Sequence, residues 1–337
     1  MNQAAARNGF LEAQKGFLIV LVVLGHAVSG FDRVAPGNEW YFDLKNAIYA
    51  FHMPAFMFLS GHVAALTFDR ASRIPLGAYI AARADRLLTP FFAIGLLILA
   101  GKSIARNFAP IPNYRGEFLF DGLLNLFIFT GKSPAVSIWF VFYLFCLLVL
   151  YAFASKSYRI ASIYLLILST IIYISDAFGA LSVPKIMYLN KTLDVAPFFF
   201  AGVLFGQRLE SGLNDRKWLG LPCFVAFVAC LLVLGGAKQT QIVVVAAAVL
   251  AIYANRFVLD RRPLRFLGGY SMVIYLFNVM VIGVMTALTK VLAPSLWTDN
   301  GLFYGFIAAV TLGGLVGPIL ARVIVFDRIT LLRRYTR

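Results

Sequence analysis

Apolar runs of about 18 to 22 residues recur along the chain, and basic or turn-forming residues separate them. Segments of that length and polarity satisfy their backbone hydrogen bonds in lipid by coiling into helices. The composition agrees: the 337 residues are 61% hydrophobic with a mean hydropathy of +0.83, far outside the range of soluble domains. No alternating pattern of ten-residue strands with regular turns is present, which argues against an outer-membrane barrel. The expected fold class is an all-α integral membrane protein.

The expected spans are 16–33, 45–67, 78–101, 136–154, 158–176, 193–208, 218–235, 239–255, 266–288 and 303–325, about ten crossings. A further apolar piece at 120–129 is too short to cross and reads as interfacial or re-entrant. Arg7 and Lys15 precede the first run, but no small-residue cleavage site follows, so it reads as an uncleaved span. Basic residues set the orientation. With the N-terminus inside, the cytoplasmic segments hold Arg70, Arg73, Arg83, Arg86, Lys156, Arg159, Arg208, Arg216 and Lys217. They also hold Arg256, Arg261, Arg262, Arg265 and the tail Arg328, Arg333, Arg334, Arg337. The outward segments hold fewer: Arg33, Lys45, Lys102, Arg106, Arg115, Lys132, Lys185, Lys191, Lys238 and Lys290. Both termini are therefore expected in the cytoplasm. No Pro/Gly/Ser-rich linker and no inverted repeat appears, so residues 1–337 read as a single transmembrane domain.

The net charge of +15 is accounted for by this loop bias, and no basic-aromatic interleaving faces water, so nucleic acid is not an expected partner. Cys146, Cys223 and Cys230 lie in apolar runs without metal-ligand spacing and read as small core residues; no metal site is expected. There is no G-x-S-x-G elbow, P-loop or H-E-x-x-H motif.

The first run carries Glu12 and Lys15 at one end and His26 further in. Lys15 and His26 are eleven residues apart, which returns the helix to nearly the same face about 16 Å further along. Ionisable groups inside a span are costly and mark functional sites by default. The second run carries His52, Pro54, Ser60, Gly61 and His62. The proline suggests a kink or start, and Ser60-Gly61 a close helix approach or a local break. His52 reads equally as a site residue or as an interfacial histidine at a packing kink, and His62 as an interfacial one. Arg83 and Arg86 share a helix face three residues apart and suit a phosphorylated ligand, or simply anchor the cytoplasmic end. Trp139 reads as an aromatic-belt residue. Asp194 lies at an outer surface where it can partner a cation. Ser271 and Asn278, seven apart, form a polar stripe on the ninth span.

In order along the chain these segments resemble the membrane acyltransferase-3 superfamily, and within it the fucose 4-O-acetylase-like and exopolysaccharide O-acyltransferases. Lys15 and His26 match its K/R-x10-H pattern, and MPAFMFLSG, from Met53 to Gly61, its MPxFFFxSG segment. Arg83 and Arg86, with Pro90 and Phe91, match its R-x-x-R pattern, and Trp139-Phe140 its WF pair. Pro197 to Gly202 matches PFFxxG, and GGYSMVIYLFN the late GxxSxxIYLxH segment. Lys15 stands for the commoner Arg, and Asn278 stands where many members carry His. No esterase-like C-terminal domain follows, so a minimal, transmembrane-only member is expected.

The resemblance implies a multi-pass protein of the cell (inner) membrane that modifies envelope polysaccharides. It would move an acyl group, usually acetyl, from cytoplasmic acyl-CoA to a hydroxyl of a sugar, glycan or lipid-linked saccharide. Acetyl-CoA would be a co-substrate, and no bound cofactor is implied. His26 would be the general base, because an imidazole suits that task at neutral pH. Lys15, Arg83 and Arg86 would hold the CoA phosphates, with Glu12, His52, Ser60 and Trp139 as support. Ser271 or Asn278 would donate to the oxyanion. A polytopic small-molecule transporter is the alternative, and a homo-oligomer is left open.

Overall fold

The computed structural model describes residues 3–29, 40–71, 74–105, 119–128, 133, 135–157, 160–183, 189–293, 295, 300–324 and 326–328, and among them there is no strand. The elements are α1 (Gln3–Ser29), α2 (Trp40–Ala71), α3 (Leu76–Ala105), α4 (Leu119–Phe127), α5 (Trp139–Ser157), α6 (Ala161–Ala177) and α7 (Leu189–Leu213). They continue with α8 (Gly220–Leu234), α9 (Gln241–Ala254), α10 (Arg256–Leu259), α11 (Arg262–Gly269), α12 (Ser271–Leu292) and α13 (Asn300–Ile324). Arg33, Arg73, Arg106, Arg115, Lys132, Arg159, Lys185, Arg333, Arg334 and Arg337, read above as loop or tail cations, lie outside the described residues.

Each expected span meets a helix. Among the described residues six segments are both long and apolar enough to cross a bilayer: Gly9–Ser29, Leu76–Ile104, Val136–Ala154, Lys217–Leu234, Ser271–Thr289 and Leu302–Arg328. Ala161–Ala177 and Gln241–Ala254 are apolar but shorter. Helices α2 and α7 are long, at 32 and 25 residues, yet the polar side chains they carry, His52 and His62 on α2 and Lys191, Asp194, Arg208 and Glu210 on α7, keep them outside that group. The chain is a multi-pass, all-helical membrane protein. The 120–129 piece becomes α4, nine residues packed against α3, only about 13 Å long.

Three local readings change. The expected 266–288 span breaks at Tyr270 into α11 and α12, because α11 spends its length against α1. Ser271 therefore opens a helix instead of lying within one. Helix α2 runs through Pro54 without interruption. Proline removes the N–H that would bond the Ala50 carbonyl one turn back, and Gln241 Nε2 donates to that carbonyl at 3.0 Å instead. His62, read above as interfacial, is fully buried in protein, its ring packed where a Cβ on Gly206 would stand.

The helices fall into two compact units, Met1–Leu59 with Gln207–Arg337, and Ser60–Gly206. In the first, α1 packs against α11, α12 and α13, and α8 pairs with α9. Among the apolar segments of the described residues α1 is the most enclosed: 61% of its apolar window is buried in protein, against 6% for Lys217–Leu234. Its contact with α11 is made backbone to backbone. A Cβ on Gly16 would strike the Leu264 carbonyl, and a Cβ on Gly268 would strike the Glu12 carbonyl. In the second unit α3 packs on α4 and α5, and α5 on α6. Gly61 there lets α2 approach the Phe199 carbonyl of α7, so Ser60-Gly61 gives a close approach without a break.

Candidate active site

In the first unit the site is built on α1. Lys15 and His26 sit on it as expected, both half-buried. Between them Leu18, Ile19, Val22 and Val23 are sealed in protein, so the span that carries the two ionisable groups is held rigidly by its neighbours. Lys15 Nζ donates to Glu12 Oε1 at 2.6 Å. The other Glu12 oxygen is buried without a hydrogen-bond partner. The α11 contact at Gly16 and Gly268 brackets this pair and fixes its height on α1.

His26 Nδ1 donates to Asn278 Oδ1 of α12 at 2.7 Å. Asn278 is fully buried, and its Nδ2 donates to the carbonyls of Ile274 and Tyr275, each at 2.8 Å. Both of its amide hydrogens are thereby engaged, which leaves it no proton for an oxyanion; that expected role is not supported by this arrangement. Ser271 lies two turns away from Asn278, about 10 Å along α12.

Helix α2 contributes a second imidazole. His52 is 3% exposed, its Nδ1 donates to the Ile48 carbonyl at 2.6 Å, and its ring meets Tyr49 edge-on at 5.0 Å. Gly25, next to His26, makes room for the Tyr49 ring, which would lie 2.9 Å from a Cβ there. Ser29 Oγ donates to the Gly25 carbonyl at 2.7 Å and lies 3.1 Å from the Tyr49 hydroxyl. Ser29, Tyr49 and His52 thus form a chain of contacts beside Gly25, the residue next to His26. His52 is buried in protein and bonded within its own helix.

The arginines of the 256–265 run do more than mark topology. Arg256 stands over the Phe10 ring of α1 at 4.5 Å, donates to Asn214 Oδ1 at 2.6 Å and is 3.9 Å from Glu210. Arg265 flanks Gly9 and donates to Asp260 at 2.6 Å, a bond that pushes the guanidinium pKa up. Gln14 is the residue that sequence reasoning passed over. It is fully buried on the Phe10 side of α1, and among the described residues neither end of its amide has a partner. A polar residue one turn after Phe10, on an otherwise apolar stripe, was the available signal.

The second unit holds the remaining candidates. Arg83 and Arg86 lie on one face of α3; Arg83 is half-buried with its guanidinium 5.0 Å from the Tyr79 ring, and Arg86 is exposed. Ser60 is half-buried on α2. Trp139 opens α5, half-buried, with its ring 4.6 Å from Tyr143 and 6.1 Å from Phe140, so it belongs to an aromatic cluster. Asp194 is 3.4 Å from Lys191, one turn earlier on α7, which gives it the cationic partner anticipated above. No group of three or more metal-ligating side chains occurs among the described residues.

A family model described as an acyltransferase domain, Acyl_transf_3, matches residues 8–321, which contain every candidate named above. The chain belongs to the acyltransferase-3 family. Among curated proteins, nodulation protein NolL of Sinorhizobium fredii is 30% identical over 233 residues, 67% of this chain and 57% of that protein. Nodulation protein NolL of Mesorhizobium japonicum is 28% identical over 229 residues, 67% of this chain and 56% of that protein. The chain thus spans a little over half the length of these relatives. No solved structure matches it. Membership of the acyltransferase-3 family agrees with the motif series read from the sequence and leaves the donor, the acceptor and the role of each residue to chemistry.

Proposed function

We propose that this acyltransferase-3 protein is an O-acyltransferase of the cell (inner) membrane, with both termini cytoplasmic. It moves an acetyl group from cytoplasmic acetyl-CoA to a hydroxyl of a sugar, glycan or lipid-linked saccharide. The observation that carries this reading is the setting of His26. Its Nδ1 is bonded to Asn278, and no hydrogen bond occupies Nε2 among the described residues. A neutral imidazole held this way has its lone pair on Nε2 and serves as general base.

A thioester is already activated, so the enzyme's task is to remove a proton and to orient the reactants. The acceptor oxygen attacks the thioester carbonyl carbon while its proton passes to His26 Nε2. The tetrahedral intermediate collapses, the C–S bond breaks, and the proton on His26 goes to the departing CoA sulfur. The ester and CoA thiol leave, and His26 is neutral again. In this reading Lys15, bonded to Glu12 and about 16 Å along α1 from His26, meets the phosphates at the other end of an extended pantetheine arm. Arg83 and Arg86 supply the paired guanidiniums that bind phosphate well. The apolar side chains between Lys15 and His26 exclude the water that would otherwise hydrolyse the thioester.

The test is transfer of label from radiolabelled acetyl-CoA to membrane glycans, with wild type and His26→Ala compared at matched membrane levels. The expected outcome is labelled glycan with wild type and a loss of about 10²–10⁴-fold in the variant. Equal labelling would remove His26 from the mechanism. No labelling by either protein would reject acetyl-CoA as donor and return the transporter reading.

A further inference from the structure

Which nitrogen of His26 is free is decided by Asn278, and the decision is made inside α12. A buried carboxamide can face an imidazole with either end. Presented with its oxygen, it requires the ring to donate; presented with its nitrogen, it requires the ring to accept. Here the Nδ2 end is committed, because it donates at 2.8 Å to two carbonyls of its own helix, Ile274 and Tyr275, one turn back. Turning the amide over would set Oδ1 against both carbonyl oxygens in a fully buried position. Oδ1 is therefore the atom that meets His26, at 2.7 Å, and His26 Nδ1 must carry the proton.

We propose that Asn278 is the positioning residue of this site: it holds His26 in the Nδ1–H tautomer and so reserves the Nε2 lone pair for the acceptor hydroxyl. This rests on the reading of His26 as general base and deepens it. The device differs from the carboxylate that orients histidine in many hydrolases, because an amide fixes the tautomer without adding a charge. An acyltransferase that must return its proton to the leaving sulfur is served by such a base, since the amide oxygen at Nδ1 carries no charge to trap the proton on the ring. His52 reaches the same tautomer by another route, through the Ile48 carbonyl of its own helix. It needs no partner from outside, whereas His26 depends on α12.

The ionisable groups around His26 are few. His52 on α2 is within electrostatic reach of it, Tyr49 lies beside Ser29 one turn away, and Lys15 is eleven residues along α1. By sequence the charged residue of α12 is Lys290, twelve positions beyond Asn278, and that of α13 is Arg322, which stands over Tyr270. A change at position 278 therefore acts on the imidazole through one short hydrogen bond.

The experiment compares wild type, Asn278→Leu and Asn278→Asp in detergent or nanodiscs, using acetyl-CoA with the glycan acceptor labelled by wild-type membranes. It also follows ¹⁵N-histidine NMR, which reads the tautomer without any turnover. Asn278→Leu leaves Nδ1–H unbonded and the tautomer unset. Its kcat should fall by about 10²–10⁴-fold, with the KM for acetyl-CoA within about threefold. Asn278→Asp still accepts from Nδ1–H but adds a negative charge, which favours the imidazolium. Activity should survive within about tenfold, while the acidic limb of the pH–rate profile moves up by about one pH unit or more. In the NMR experiment His26 should be Nδ1–H in wild type and mixed in Asn278→Leu.

A merely structural role would lower both variants together and leave the pH limb where it was, and that result overturns the proposal. So does a wild-type His26 found as the Nε2–H tautomer. If the NMR result holds while no protein transfers acetyl, Asn278 still sets the tautomer, and it is the acyl-transfer reading that fails.

Discussion

The residues of α1 proposed for the chemistry are each held by one neighbour, Lys15 by Glu12 and His26 by Asn278. Lys15 is the clearest case: its ammonium is held 2.6 Å from Glu12 rather than left to roam, so it presents a placed charge to an incoming anion. An ion pair with side chains 27% and 36% exposed contributes little to stability, on the order of a few tenths of a kcal/mol. Lys15→Ala should therefore fold normally. If Lys15 holds a CoA phosphate, the KM for acetyl-CoA should rise about tenfold in the variant, with kcat within about threefold. The difference should shrink between about 0.05 M and 0.5 M NaCl, as screening weakens the wild-type contact. Initial rates against acetyl-CoA at the two salt concentrations check this, and an unchanged KM would remove Lys15 from donor binding. The K-x10-H spacing made Lys15 and His26 legible in the sequence, because both lie on one helix and its period is fixed. Asn278 was legible as a polar residue of a span at a motif position, but its bond to His26 was not, since that partner is 252 residues away.

At the scale of elements, two helix contacts in this protein are set by glycines, α1 with α11 at Gly16 and Gly268 and α2 with α7 at Gly61. Lipid tails solvate leucine as well as another helix does, so close approach of backbones is what holds spans together. The α1–α11 contact is the case that matters for the site, because it fixes the segment bearing Glu12 and Lys15. Gly16→Val would drive its side chain into the Leu264 carbonyl and separate the two helices. The expected result is a loss of monodisperse protein in fluorescence-detected size exclusion. Gly77→Val on α3, where a Cβ meets nothing within 4 Å, is the matching control and should behave as wild type. Equal recovery of both variants would show that α1 and α11 need no close approach. Helix α2 carries a related lesson. Pro54 reads as a kink in the sequence, yet Gln241 from α9 supplies the missing bond and the helix continues.

At the scale of the molecule, orientation in the membrane follows from where the cations lie rather than from any single contact. A GFP fused after Arg337 should fluoresce and an alkaline phosphatase at the same place should be inactive, as expected for a cytoplasmic end. The reverse pair of results would invert the topology and put Lys15 on the wrong side to meet cytoplasmic acyl-CoA. Much of this level was written in the sequence. Hydrophobic length, basic loops and the order of motifs along α1, α2, α3, α5, α7 and α12 are one-dimensional properties, and bilayer thickness turns them into spans. The break at Tyr270, the burial of His62 against Gly206, the unpartnered amide of Gln14 and the bond from Asn278 to His26 are of another kind. Each depends on which helix faces which, and packing between distant segments decides that. The sequence by itself determined that this chain crosses a membrane many times and carries a histidine and a cation on its first helix. Only the tertiary structure decided which nitrogen of that histidine is free, because a tautomer is chosen by the atom across the hydrogen bond.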